Sequence, residues 1–414
     1  MVRLMKAWHK DMPNRRDLLL LLSIGGLYAL ATFLSNTFVN IYLWKQSNDF
    51  VSIALYNLSI CVLQPVAFFV AGKWAKRIDR TFVLRIGVVF MSIFYVTVLI
   101  AGEHASQYAM LLGALLGIGA GFYWLSFNVL TFEITEPESR DFFNGTLGTL
   151  QSLGGMIGPF FAGYIITRLD NFQGYSLIFV LSFILFAVAM VCSFFLAKRK
   201  VKGTFSFKQV LQEQKQNKDW HLMLGAHVFQ GLREGFFVFV IAIWVFLATD
   251  SELALGSFNL ILSLCSLIGY YWITNKSQPK HRKKLTFFGG LILAVSVTLL
   301  VIQTNYWTLL IYGMLVGFAY PMFNIPFVSL TYDIIGKARG AKNLRIEYII
   351  VREVYMNIGR ISSIVLFIIA VSWKDPMKII PILMCIIGLG NLVASFFVKR
   401  THLDTSSHAI WNKQ

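Results

Sequence analysis

The chain has 414 residues, of which 57% are hydrophobic and only 14% charged, with a mean hydropathy of +0.65. A soluble protein of that length cannot cover so much apolar side chain with so few charges, which leaves a polytopic membrane protein. The net charge of +17 sits in short basic clusters between apolar runs, the pattern of membrane topology signals, so no nucleic-acid partner is expected.

Taken in order, apolar runs long enough to cross a bilayer, roughly 20 residues each, are predicted near 18–44, 50–71, 82–101, 107–132, 142–167 and 175–197. They resume at 221–248, 254–274, 285–303, 306–332, 345–371 and 377–398. The pattern predicts an all-α membrane protein with twelve transmembrane helices in two six-helix bundles. The bundles occupy 1–197 and 220–414, the second ending in a short tail. The polar, basic interval 198–219 reads as a cytoplasmic linker with room for an interfacial helix. Arg15-Arg16 followed by a leucine run and Ala29-Leu30-Ala31 resembles a secretory signal. The apolar character continues to Trp44, so a retained first helix is expected instead.

Loop charges test this count. One side carries Arg3, Lys6, Lys10, Arg15, Arg16, Lys73, Lys76, Arg77, Arg80, the basic linker, the cluster at 276–284, and Lys337, Arg339 and Lys342. The other carries only Lys45, Arg168, Lys374 and Lys378. That imbalance puts both termini in the cytoplasm of a multi-pass plasma-membrane protein. Cys61, Cys192, Cys265 and Cys385 all lie in apolar segments without C-x-x-C spacing, so neither disulfides nor zinc are expected. No phosphate-binding glycine loop, metal-ligand cluster or nucleophile set stands out, so no enzyme, cofactor or direct ATP drive is expected.

The two halves repeat. Shifted by 200 residues, Gly113 and Gly117 fall on Gly313 and Gly317, Phe127 on Phe327, Glu133 on Asp333, and Trp44 on Trp244. A shift of 201 brings Gly158-Pro159 onto Gly359-Arg360. A nearly constant offset across several helices is the mark of a duplicated transporter fold. The motifs agree. Gly72, with Arg77 and Arg80 after it, resembles the signature loop of the major facilitator superfamily, although Lys76 and Asp79 replace its acidic residue and second glycine. Gly117, Gly119 and Gly121 resemble the family's fourth-helix pattern, with Gly113 where many proton-coupled members carry arginine. Gly154, Gly158, Pro159 and Gly163 resemble the fifth-helix motif of its antiporter branch. Close helix packing explains these glycines equally well. The resemblance implies alternating access around a central site.

The polar residues inside the expected spans are the candidate site. The eleventh span carries Arg352 and Glu353 about 10 Å deep and Arg360 about 20 Å deep, taking 1.5 Å per residue. A lone charge at that depth costs about 2.5–3.5 kcal/mol, so these groups must face protein, a partner or water. The seventh span carries His227, Gln230, Arg233 and Glu234. In the resembled family the seventh helix lines the cavity and the eleventh flanks it. Two readings stay open. In one, Glu234 pairs with an arginine and Arg233 with Glu353, and the network only locks the bundle. In the other, Arg360, Arg352 or Arg233 holds an anionic substrate group while Glu234, Glu353 or His227 handles the proton.

Uncharged candidates for substrate contact are Asn36, Asn40, Tyr123 and Asn128 in the first half, and Tyr320 and Asn324 beside Pro321 and Pro326 in the tenth span. Glu133 and Asp333, with Glu136, Glu138, Arg140 and Arg339, are expected as gate salt bridges at the cytoplasmic helix ends. The leading expectation is a monomeric, proton-coupled secondary transporter exporting a small organic or amphiphilic molecule, anionic by the charged character of one half. A transporter-fold scaffold for membrane-protein partners in envelope assembly, or a lipid flippase, is the alternative.

Overall fold

A computed structural model of the chain describes residues 15–135, 137–169, 172–198, 205–276, 279–302 and 305–402. The basic residues Arg3, Lys6 and Lys10 and Glu136 lie outside them, as do the side chains of Glu138 and Arg140. Helices account for nearly all of the described chain. The first six are α1 (Arg15–Ser47), α2 (Phe50–Ala75), α3 (Arg80–Ala101), α4 (Ala109–Ile134), α5 (Pro137–Arg168) and α6 (Gln173–Phe194). After a short linker helix (Phe207–Glu213) come α7 (Lys218–Thr249), α8 (Glu252–Lys276), α9 (Arg282–Ile302), α10 (Tyr306–Lys337) and α11 (Ala341–Trp373). The last expected span is split into α12 (Pro376–Gly388) and α13 (Gly390–Lys399).

Ten stretches among the described residues are long and apolar enough to cross a membrane, and one of them, Arg80–Thr131, contains α3 and most of α4. The sequence pattern predicts a fifth span at 142–167. There α5 is helical throughout, but Thr149, Gln151, Ser152 and its glycines dilute its apolar character, and it is not among the ten. Large apolar side chains point outward along these helices: Ile100, Trp373 and Tyr271 are 81%, 83% and 73% exposed. In water such a surface would aggregate; against lipid it is the expected exterior.

Helix starts follow local chemistry. Asp49 caps α2 by accepting from Val51 and Ser52 backbone N–H groups, and Asn305 and Thr308 form a capping box on α10. Asp79, which stands where the resembled family has glycine, caps α3 and also accepts from the Thr81 hydroxyl at 2.8 Å. The ends of α1 and α7 repeat each other: Asn48 and Asp250 both sit at φ 47° and close a hydrogen bond four residues back. Asparagine and aspartate are the non-glycine residues that tolerate this left-handed conformation.

Two compact units form. The first comprises Met1–Phe205 with Ala242–Leu260, and the second Ser206–Ile241 with Ile261–Gln414. In the first unit, glycines set the helix spacing. A side chain at Gly113 would collide with the Tyr56 carbonyl oxygen, and one at Gly117 would lie 2.6 Å from that of Ile60. α4 therefore lies directly on α2, and no arginine could stand at 113. α5 is held on two sides. Gly158 approaches the Leu34 backbone of α1, while Gly163 and Pro159 approach Glu252 and Gly256 of α8. Close packing accounts for Gly158 and Gly163, whereas the Cβ position at Gly154 meets only ordinary contacts.

The second unit is built on Trp220, Phe323, Phe327, Leu330 and Tyr348, with Val210 of the linker helix buried among them. The linker helix is also tied by polar contacts: Tyr355 donates to Gln214 Oε1 at 2.6 Å, and Ser206 N–H donates to Glu347 at 2.9 Å.

Candidate functional site

The polar residues of α7 and α11 meet inside the second unit because the backbones touch. A Cβ at Gly231 would strike the Met356 carbonyl oxygen, one at Gly235 would lie 2.5 Å from the Arg360 Cα, and one at Gly359 would strike the Val228 carbonyl oxygen. Gly231 and Gly235 form a G-x-x-x-G pair around Arg233-Glu234. That spacing was the readable signal for this contact.

Across the seam runs a connected polar chain. Arg360 Nη2 donates to Glu234 Oε2 at 2.8 Å. Gln230 Nε2 donates to Glu234 Oε1 at 2.9 Å, and the Tyr320 hydroxyl reaches the same oxygen at 3.4 Å. Gln230 Oε1 then faces His227 Nδ1 at 3.0 Å, and His227 Nε2 faces Thr331 Oγ1 at 3.2 Å. Directionality propagates along it. A carboxylate at Glu234 only accepts, which turns the Gln230 amide N–H toward it and its carbonyl toward His227. His227 must then carry its proton on Nδ1, with Nε2 beside the Thr331 hydroxyl. The Arg360 and Glu234 side chains keep 19% and 21% exposure. The pair is therefore not sealed within the unit.

The other charges are placed differently. Arg352 closes on its sequence neighbour Glu353 at 2.7 Å, with side-chain exposures of 13% and 8%. The expected Arg233–Glu353 pair does not form, because Glu353 is taken by Arg352. Arg233 is 4% exposed and stacks on the Phe237 ring at 4.7 Å. Asn357 accepts from Arg360 at 3.4 Å and donates to the Glu353 carbonyl, linking the two pairs along α11. Asn324 is half-buried on α10, close to Tyr270.

In the first unit, Tyr123 is 1% exposed and stacks on Tyr28 at 3.8 Å in a cluster with Trp124, Phe127 and Phe186. Asn40 is 5% exposed and accepts from Asn57 at 2.8 Å. Asn36 and Asn128 are half-buried. A polar cluster that the sequence did not announce closes one end of this unit. Lys45 pairs with Glu252 at 2.5 Å, and the Tyr175 hydroxyl donates to the same carboxylate at 2.9 Å. Beside it a cavity of about 490 Å³ is lined by Trp44, Lys45, Asn48, Phe172, Phe246, Leu247 and Asp250.

Glu133 and Asp333, related by the internal repeat, carry equivalent ion pairs in their own units: Arg80 with Glu133, and Arg282 with Asp333 at 2.5 Å. Gly72 is buried at the end of α2, and Arg77 is exposed. The Arg80 side chain is 6% exposed, whereas Asp333 is 51% exposed. Exposed pairs contribute about 0–1 kcal/mol, while breaking a buried one costs about 3–5 kcal/mol. Arg80→Ala is therefore expected to lower the unfolding temperature in detergent clearly more than Arg282→Ala. Equal shifts would mean that burial does not separate the two pairs.

Comparisons with known proteins fit this architecture. The sequence profile of the Major Facilitator Superfamily matches residues 21–344. The chain is 51% identical over 389 residues to the uncharacterised protein YqgE of Bacillus subtilis (strain 168), covering 94% of this chain and 90% of that one. It is 64% identical over 165 residues to an uncharacterised protein in the sodM 3' region of Geobacillus stearothermophilus, covering 40% of this chain and 77% of that one. The crystal structure of the human organic anion transporter MFSD10 (TETRAN) superposes with a TM-score of 0.70 at 13% identity, over 94% of this chain and 100% of that one.

Proposed function

The chain belongs to the major facilitator superfamily, and from that premise we propose that this membrane transporter carries a small organic anion together with a proton, by alternating access. The observation that carries the reading is the Arg360–Glu234 pair: an arginine and a carboxylate, both partly accessible, at the end of a hydrogen-bonded chain through Gln230 to His227. An anionic group that takes Arg360 removes the positive charge that favours ionised Glu234. A protonated Glu234 releases Arg360 to the anion, and by reciprocity the bound anion favours the protonated carboxyl. The coupling is positive, so anion and proton are carried in one direction. Exchange would need the opposite sign, and the fifth-helix motif does not require exchange, since its glycines serve helix packing. Export is then driven by the outward gradient of the anion itself.

The cytoplasmic placement of both termini rests on the loop charges, and the plasma membrane as location follows from the same topology. Division into a first bundle at 1–197, a linker at 198–219 and a second bundle at 220–414 belongs to the same proposal. Its moving parts are the two repeats, and a single chain suffices. The organic-anion transport stated for MFSD10 is consistent with this substrate class.

The test uses purified protein in liposomes that enclose a pH dye and a panel of organic anions. Outward movement of an anion is expected to raise the internal pH, because the proton leaves with it. A fall in internal pH would establish exchange and overturn the coupling proposed here. Movement of no compound across a broad panel would point to a scaffold role instead.

A further inference from the structure

Arg233 is the cation that the contacts of α7 and α11 leave over. We propose that it holds a resident monatomic anion, chloride under physiological conditions, in a dry site of the second unit between α7, α10 and the α12–α13 break. At this depth α7 and α11 present Arg233, Arg352 and Arg360 against Glu234 and Glu353. The two carboxylates are engaged by Arg360 and Arg352. Arg233 makes no ion pair among the described residues, and its Nε and Nη2 have no hydrogen-bond partner. Stacking on Phe237 and the nearby Tyr312 hydroxyl soften the desolvation of this guanidinium without neutralising it.

A second, independent orphan lies on α13, the helix whose first residue packs against Arg233. Asn391 is 0% exposed, and neither its Nδ2 nor its Oδ1 has a partner. It directly follows Gly390, the first residue of α13, where a Cβ would lie 3.1 Å from the Arg233 Cβ and 2.5 Å from the Phe229 carbonyl oxygen. Gly390 thus lets α13 lie against α7 at Arg233. Buried polar groups are nearly always satisfied, and an unpaired guanidinium with an unsatisfied amide on the helix packed against it marks a missing partner. The donors on offer are guanidinium, amide and phenol N–H and O–H groups. One uncompensated positive charge calls for one negative charge. Arg233 and Asn391 are closed to solvent, unlike the accessible Arg360–Glu234 pair, so the occupant is small and distinct from the transported substrate.

The experiment measures the unfolding temperature of the purified protein as chloride replaces gluconate at constant ionic strength, with bromide as a second probe. A saturable rise of several degrees with chloride or bromide is expected, since a ligand bound only by the folded state stabilises it. Arg233→Met should abolish that rise, while Glu234→Gln should keep it, so the result is independent of proton coupling. Identical unfolding temperatures in chloride and gluconate for the unmodified protein overturn the site, as does a chloride response that survives in Arg233→Met. Should Arg233→Met fail to fold, Asn391→Ala decides. It should raise the half-saturating chloride concentration about fivefold, the loss of one hydrogen bond near 1 kcal/mol. An unaltered titration there rejects the proposal.

Discussion

Glu234→Gln is expected to lower the response of transport to an imposed pH gradient by an order of magnitude or more, while substrate binding is kept or tightened. The side chain stays nearly isosteric and can still accept from Arg360, but it no longer takes up and releases a proton. Removing the carboxylate charge also weakens the hold on Arg360, which then meets an anion with less competition. The control is Glu353→Gln. Glu353 is engaged by its neighbour Arg352 and lies outside the chain running from Thr331 to Arg360. That variant should lose some thermal stability and retain coupling. Measured pH-gradient-driven flux with both variants in liposomes separates the two carboxylates. A Glu234→Gln protein with unchanged proton movement per anion would remove Glu234 from the mechanism.

Gly359→Val is expected to cause the largest loss of folded protein. Its Cβ would meet the Val228 carbonyl oxygen and lie 2.7 Å from the Leu232 nitrogen. Both are backbone atoms of a helix interior, which cannot rotate out of the way as a side-chain tip can. Overpacking of this kind costs about 1–3 kcal/mol and here forces α7 and α11 apart, which separates Arg360 from Glu234. Transport should fall with stability. Gly336→Ala is the matched control: nothing lies within 4 Å of its Cβ position on α10. Replacing glycine by alanine in an open helix position is neutral or stabilising by about 0.5–1 kcal/mol. Thermal unfolding and size-exclusion profiles of the two variants would decide the matter, and a Gly359→Val protein as stable as Gly336→Ala would contradict the seam.

The helical segments and the presence of charges within their apolar runs were legible from the sequence, although α5 is too polar to count among the ten spanning stretches. Twenty-residue apolar runs and basic loops are local properties, and a charge inside such a run is visible without any fold. The repeat was equally legible, down to Glu133 and Asp333, which carry equivalent ion pairs. Partnership, by contrast, came from the packing of the helices. Glu234 had three arginines to choose from and chose Arg360, 126 residues away, while Glu353 closed on the residue beside it. Nothing in spacing along one helix fixes such a choice. It depends on the rotation and separation of α7 against α11, which Gly231, Gly235 and Gly359 set by letting the backbones touch. The same contact, with Gly390 of α13 packed on the far side of α7, left Arg233 dry. Tyr123 shows the converse: its hydroxyl made it a candidate for substrate contact, but stacking on Tyr28 buries the ring. Burial and pairing are properties of neighbours brought together from distant parts of the chain, and one strand of sequence carries only half of each contact.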